Sequence, residues 1–177
     1  MTLSPMAVDN QPIYRVDPFS DPVIIKICGR ASFQNAGPLS TFFQEMLQQG
    51  VPRFILDFGE CTGMDSTFLG IIAGAALETR KVEGEGGYLA LLCLGERNLE
   101  LVRNLGLHRL ARVDSGELSE SMDQSDTMQP LSGDAAVTRK VLITAHENLA
   151  GINEANLEKF QDIVEYLKSR LKEGDDK

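Results

Sequence analysis

Short apolar runs alternating with one-sided amphipathic stretches organise most of the chain. "IYRV" (13–16) and "PVIIKIC" (22–28) are rich in β-branched residues and read as strands, the second punctuated by Pro22 and Gly29. In "GPLSTFFQEMLQQG" (37–50), Leu39, Phe42, Phe43, Met46 and Leu47 share one helical face. Pro38 suits its first turn, and Gly50 and Pro52 stop it. "RFILDF" (53–58) is apolar almost throughout, the pattern of a strand in the middle of a covered sheet. From about Ser66 to Val82 a helix is predicted whose apolar residues cover most sides. Phe68, Ile71, Ile72, Ala75 and Ala76 make one face, and Leu69, Ala73 and Leu77 another. Such a helix is sunk between other elements. Gly70 and Gly74, four apart, would let a neighbouring backbone come close. "YLALLCL" (88–94) is a further buried strand, "ERNLELVRNL" (96–105) a helix closed by Gly106, and "LARV" (110–113) a short last strand. The alternation predicts an α/β fold with helices layered on one sheet.

The pattern then stops. Residues 114–134, "DSGELSESMDQSDTMQPLSGD", hold six acids and no base and have no periodicity, so this stretch reads as an acidic, flexible linker that proteases should cut first. Periodicity returns at 135–150, read as a helix through Val137, Val141, Ala145 and Leu149, although "VLIT" alone would also pass as a strand. Asn153 is a plausible N-cap for a final helix from Glu154 to about Lys172. Its Leu157, Phe160, Val164, Leu167 and Leu171 form an apolar seam two heptads long, expected to be buried against the preceding helix and its own domain or a second copy. The organisation predicted is a loose tail (1–10), an α/β domain (11–113), the acidic linker (114–134) and a C-terminal helical hairpin (135–173).

Composition narrows the partners. At 42% hydrophobic and 24% charged, the 177 residues can build a core. A net charge of −9, with no cluster of Lys and Arg, argues against nucleic acid or anionic lipid as a partner. The longest apolar run, "FLGIIAGAAL" (68–77), is half of the roughly 20 residues a membrane span needs. "MTLSPMAVDN" lacks the basic and apolar regions of a signal peptide, and Cys28, Cys61 and Cys93 are odd in number and widely spaced. A cytoplasmic protein with reduced thiols is the expectation.

Little chemistry is on offer. His108 reads as a rim residue and His146 as part of a solvated helix face. Neither stands in a metal-ligand spacing, so no metal and no cofactor are expected. Asp57/Glu60 and Glu83/Glu85 read as strand-end and turn acids, and no motif asks for an enzyme. One junction stands out. In "CTGMDSTFLG" (61–70) an acid and two hydroxyls, Asp65, Ser66 and Thr67, separate two buried elements. Asp65 could simply cap the helix. The same geometry would also place a hydroxyl against free N–H groups and the positive end of the helix dipole, where a phosphate finds stabilisation. The residues alone leave both readings open.

The succession "FILDF", "MDSTFLG", "GGYLALLCL" and "NLELVRNLGLHRLARV" resembles the STAS domain of bacterial anti-sigma factor antagonists, over residues 13–113. The most specific motif is D-S-[ST]-x-L-G at 65–70, reinforced by Asp57 and by "LGL" (105–107). The resemblance implies a small mixed sheet of four to five strands packed by helices, here with a C-terminal helical extension. It implies that Ser66 is phosphorylated by an anti-sigma factor that is an ATP-dependent serine kinase, with Thr67 a less favoured acceptor. It further implies that the unphosphorylated form binds that kinase and frees a sigma factor, and that a PP2C-type phosphatase restores it. Asp65, Ser66, Thr67, Phe68 and Gly70 would form the partner-binding surface. A non-switching scaffold or ligand-binding module, assembled through the C-terminal helices as monomer or homodimer, is the alternative. Two positions depart from the family: Phe68 replaces a frequent Gly and would make the surface beside the acceptor bulkier, and Ser32 stands where an Asp is common.

Overall fold

The computed structural model describes residues 13–82, 86–114, 127–131 and 136–175. Strands β1 (Tyr14–Asp17) and β2 (Val23–Ala31) form an antiparallel pair, with Tyr14 opposite Ile27. Helix α1 (Gly37–Gln48) crosses to β3 (Arg53–Met64), which runs parallel to β2, and helix α2 (Ser66–Thr79) crosses to the parallel β4 (Tyr88–Leu92). Helix α3 (Glu96–Asn104) and one 3₁₀ turn (Leu107–Arg109) lead to β5 (Arg112–Asp114). The chain rejoins the sheet at β6 (Gln129–Pro130), then forms α4 (Arg139–Ala150) and α5 (Glu154–Asp175). The sheet order is β5-β4-β3-β2-β1-β6.

The predicted α/β class and its elements are present, with displaced limits. Among the described residues the sheet has six strands, not the four to five expected, because β6 pairs antiparallel with β1, placing Arg15 opposite Pro130. That strand lies inside the stretch expected to be a linker. Leu131, just past it, donates its backbone N–H to the Tyr14 carbonyl, so edge pairing overrides a composition without periodicity. The rest of the linker expectation, at 115–126 and 132–134, the first residue of the expected hairpin (135) and the tail at 1–10 lie outside the described residues.

One core dominates. Ile25, Ile27, Phe54, Leu56, Leu89 and Leu91 on one side of the sheet meet Leu39, Phe42 and Phe43 of α1 and Phe68, Leu69 and Ile72 of α2. A smaller cluster of Ile55, Ala90 and Leu92 lies apart from it, flanked by Tyr88. Ala145, Leu149 and Phe160 belong to the large core, so the C-terminal helices are packed into it. The reason is the character of α2. Apolar on both flanks, it would leave one of them in water if the sheet were its only neighbour, and α4 covers that side.

Gly70 makes the contact possible. A Cβ there would overlap the carbonyl oxygen of Ala145 and stand 2.8 Å from its Cα, so the two helix backbones touch. A Cβ at Gly74 would meet only the Asn148 amide, 2.5 Å away at the end of a flexible side chain. In α5 the buried line is Asn156, Phe160 and Val164, with Leu167 and Leu171 half-buried. Leu157 is 49% exposed, which corrects the predicted seam. Asn156 takes the inward place because its amide donates to the carbonyls of Leu105 and Leu149, a bond pair that no leucine could make.

The two glycines separate cleanly in their expected mutant effects. Gly70→Ala should destabilise the fold by about 1–3 kcal/mol, the cost of forcing atoms into a filled contact. Gly74→Ala should cost far less, since Asn148 can swing away and alanine favours the helix by up to about 1 kcal/mol. Urea unfolding monitored by circular dichroism measures both. Equal small losses would show that α4 does not press on α2 at Gly70.

Candidate functional site

Strands β2 and β3 are parallel and finish level, with Ala31 paired to Met64, so the chain leaves both at one edge of the sheet. There the Asp65 N–H donates to the Ala31 carbonyl (3.2 Å), drawing the start of α2 against the β2–α1 loop. The Asp65 carboxylate is used twice. One oxygen accepts the Phe68 N–H at 2.9 Å, the expected helix cap, and the other accepts the Phe33 N–H at 2.8 Å across the loop. Asp65 is therefore a structural tie between two loops as well as a cap.

Loop 32–35 is held from within. Asn35 accepts from the Ser32 N–H (3.0 Å) and from the Tyr14 hydroxyl (3.0 Å), and its amide donates to the Arg30 carbonyl (2.8 Å). Burial first, and then the nearby Asp65 carboxylate, push the Tyr14 hydroxyl well above its ordinary pKa, so it stays protonated as a donor. Ser32, 8% exposed, accepts the Gln34 N–H with its hydroxyl and is a turn residue of this loop.

The motif residues separate after Asp65. Ser66, the first residue of α2, is half-buried. Thr67 is 4% exposed and Phe68 fully buried, which makes Thr67 a poor acceptor and removes Phe68 from the surface. The expectation that Phe68 bulks out the face beside the acceptor is thus corrected. Its ring points into the core, stacked 6.3 Å from Tyr14 and edge-on to Phe58. Gly70 is likewise not on an open surface, because Ala145 covers it.

The largest departure from the sequence reading is His146. Expected on a solvated helix face, it is 6% exposed and lies over Ser66, with Nε2 3.1 Å from the Ser66 Oγ. Nδ1 stands 2.8 Å from the Leu142 carbonyl. A carbonyl only accepts, so Nδ1 carries a proton and donates to it, which leaves Nε2 to pair with the Ser66 hydroxyl. The Phe160 ring flanks the imidazole at 5.8 Å. Spacing held a signal for this: Ile143, His146 and Leu149 recur at three-residue intervals and share the buried side of α4. Next to them, the Asn148 amide faces the Gly70 carbonyl at 3.4 Å.

Other candidates do not assemble into a site. Asp57 accepts the N–H of Gly59, while Glu60 pairs with Lys26 at 3.3 Å, so the two acids have separate structural partners. Burial pushes the Cys28 thiol up to about 11, helped by the Glu60 carboxylate, and burial also raises Cys61 and Cys93. None of the three is poised as a thiolate nucleophile. His108 is exposed, as expected of a rim residue. Among the described residues no cluster of three or more His, Cys, Asp or Glu side chains could hold a metal ion, and no helix is long and apolar enough to cross a membrane.

The double use of Asp65 predicts that Asp65→Ala loses about 2 kcal/mol, the sum of a cap and a loop bond made by a carboxylate. Asp65→Asn should retain part of this through its single amide oxygen, and Ser66→Ala, which leaves the buried His146 ring one bond short, should cost about 1 kcal/mol. Denaturant midpoints for the three variants check the ranking. An Asp65→Ala protein as stable as the wild type would refute the tie.

No family model matches the chain, and no curated protein does. Solved structures do. The anti-sigma factor antagonist SpoIIAA in its unphosphorylated form is 20% identical, with a TM-score of 0.50 over 62% of this chain and 94% of that one. The Bacillus cell fate determinant SpoIIAA in the phosphorylated form is 18% identical, with a TM-score of 0.50 over 61% of this chain and 96% of that one. Nearly all of each SpoIIAA chain is thus matched by less than two thirds of this one. With its mixed sheet, its layered helices and Asp65–Ser66 at the sheet edge, this chain has the STAS fold of the anti-sigma factor antagonists.

Proposed function

We propose that the protein is an anti-sigma factor antagonist: a binding module, not an enzyme, whose affinity for an anti-sigma serine kinase is set by phosphorylation of Ser66. The observation that carries this reading is the division of labour in the motif. Asp65 is consumed by two backbone bonds, and Thr67 and Phe68 are buried. Of the two hydroxyls in the motif, only that of Ser66 belongs to a residue that is not buried, at the first turn of α2, where its one partner among the described residues is His146. A phosphoryl group there would add about −1.5 to −2 charges at neutral pH. The helix N-terminus accommodates that charge, worth about 0.3–1 kcal/mol, so the fold survives it. A partner packed on the same spot must instead desolvate a dianion. That costs a few kcal/mol and weakens binding by roughly tenfold or more. The acidic charge fits a protein partner better than nucleic acid or anionic lipid, with a PP2C-type phosphatase to reset the switch.

A second reading has its own support. Because Ala145, Leu149 and Phe160 share the main core, the hairpin could be a permanent third layer and the protein a non-switching scaffold.

The experiment is a pull-down with the anti-sigma serine kinase of the same genome, combined with phosphate mapping after incubation with ATP. Ser66→Ala should bind and resist phosphorylation, Ser66→Asp should fold but bind at least about tenfold more weakly, and Thr67→Ala should change little beyond stability. If Ser66→Asp binds as tightly as the wild type and no phosphate appears on Ser66, the scaffold reading replaces the switch.

A further inference from the structure

The helix face that begins at Ser66 is already occupied. Ser66, Gly70 and Gly74 recur every four residues and so lie in a row along one side of α2, and α4 runs along that row. His146 meets Ser66, Ala145 meets Gly70 through the backbone, and Asn148 meets both Gly70 and Gly74. The hairpin turn has its own seat. A Cβ at Gly106 would lie 2.9 Å from Ile152, and the Asn156 amide donates to the Leu105 carbonyl at 2.8 Å. Lys168 pairs with Glu147 at 2.6 Å, tying α5 to α4.

We propose that the α4–α5 hairpin is a cover in cis over the Ser66 face of α2, and that it must lift before the face is phosphorylated or engages a partner. The proposal rests on the switch reading of Ser66 and adds its regulation. Phosphoryl transfer needs the Ser66 Oγ in line with the γ-phosphate of ATP. In the covered form that oxygen is bonded to an imidazole which is itself buried. Turning the ring aside is not enough. His146 is adjacent to Ala145, whose backbone is pressed on Gly70, so α4 has no slack at this point. Ala145, Leu149 and Phe160 reach the main core, so lifting exposes apolar surface and the open form is the minor one. The hydrogen bonds of the seat, however, do not oppose release. They run to the rest of the fold through polar side chains, His146 to Ser66, Asn148 to Gly70 and Asn156 to Leu105, and water can replace each partner when the hairpin lifts. The uncovered row of small residues fits a helix brought to backbone distance. A partner competing with α4 therefore needs a helix with a small residue opposite Gly70.

Two measurements on the 177-residue chain test this. The first is native-state hydrogen exchange in low urea. The amides of 139–175 should exchange together, through an opening at least about tenfold more frequent than that of β2–β4. The second uses Gly74→Cys with Asn148→Cys in a Cys93→Ser background. The Cβ position at Gly74 is 3.5 Å from Asn148 Cγ, so a sulfur in place of that Cγ is within reach of one on position 74, and mass spectrometry confirms that the bond has formed before the assay. With the anti-sigma serine kinase and ATP, the oxidised form should be phosphorylated on Ser66 at least about tenfold more slowly than the same protein after reduction. Equal rates before and after reduction would overturn the cover and leave the switch standing. Exchange of 139–175 only by global unfolding would overturn it too. If Ser66 gains no phosphate in wild type or reduced variant while 139–175 opens locally, the switch reading fails and the hairpin is a cover for some other use of the face.

Discussion

The contact between two helix backbones at Gly70 and Ala145 decides how the rest of the molecule is arranged. It allows α4 to lie directly on α2, so that α2 is enclosed by the sheet on one side and by another helix on the other. An apolar helix with no polar face is a liability on a protein surface and an asset between two layers. It also sets the register of everything along the pair. With Ala145 fixed on Gly70, His146 falls over Ser66 one turn earlier, and Asn148 falls beside Gly74 one turn later.

The polar groups carried inward by this packing all find partners, and among the described residues no buried side-chain nitrogen or oxygen is left without one. Asn156 bridges the α3 corner and the end of α4, Asp65 joins the α2 start to the β2–α1 loop, and Asn35 ties that loop to Tyr14. An unmade bond at any of these places would cost about 1–3 kcal/mol, so each pairing specifies a geometry more than it adds net stability. His146 belongs to the same class. Its bond to Ser66 satisfies a buried ring and at the same time occupies the hydroxyl on which the proposed switch depends.

The cap and acceptor readings of the "DST" junction turn out to concern different atoms. The cap is Asp65, seen directly in its bond to the Phe68 N–H. Whatever else the junction does falls to Ser66, because Thr67 and Phe68 face inward. Phe68 shows how a family comparison of residue types can mislead: a large residue beside an acceptor looks like added surface until its ring is seen stacked on Tyr14.

Periodicity by itself determined the α/β class, the order of strands and helices through residue 113, the start of the long helix at Ser66, and a helical pair at the C-terminus. These are local facts, set by which side of each element is apolar. It also made Gly70 and Gly74 legible as a point of close approach. What it could not assign was the identity of the approaching backbone, because the residues that meet there are some 75 positions apart in the chain and no local pattern encodes the pairing. For the same reason a histidine on an amphipathic helix passed for solvated until the tertiary structure laid α4 on α2. Two residues of an acidic stretch passed for linker until they paired with the open edge of β1. Sequence spacing chose the faces, and three-dimensional packing chose what covers them.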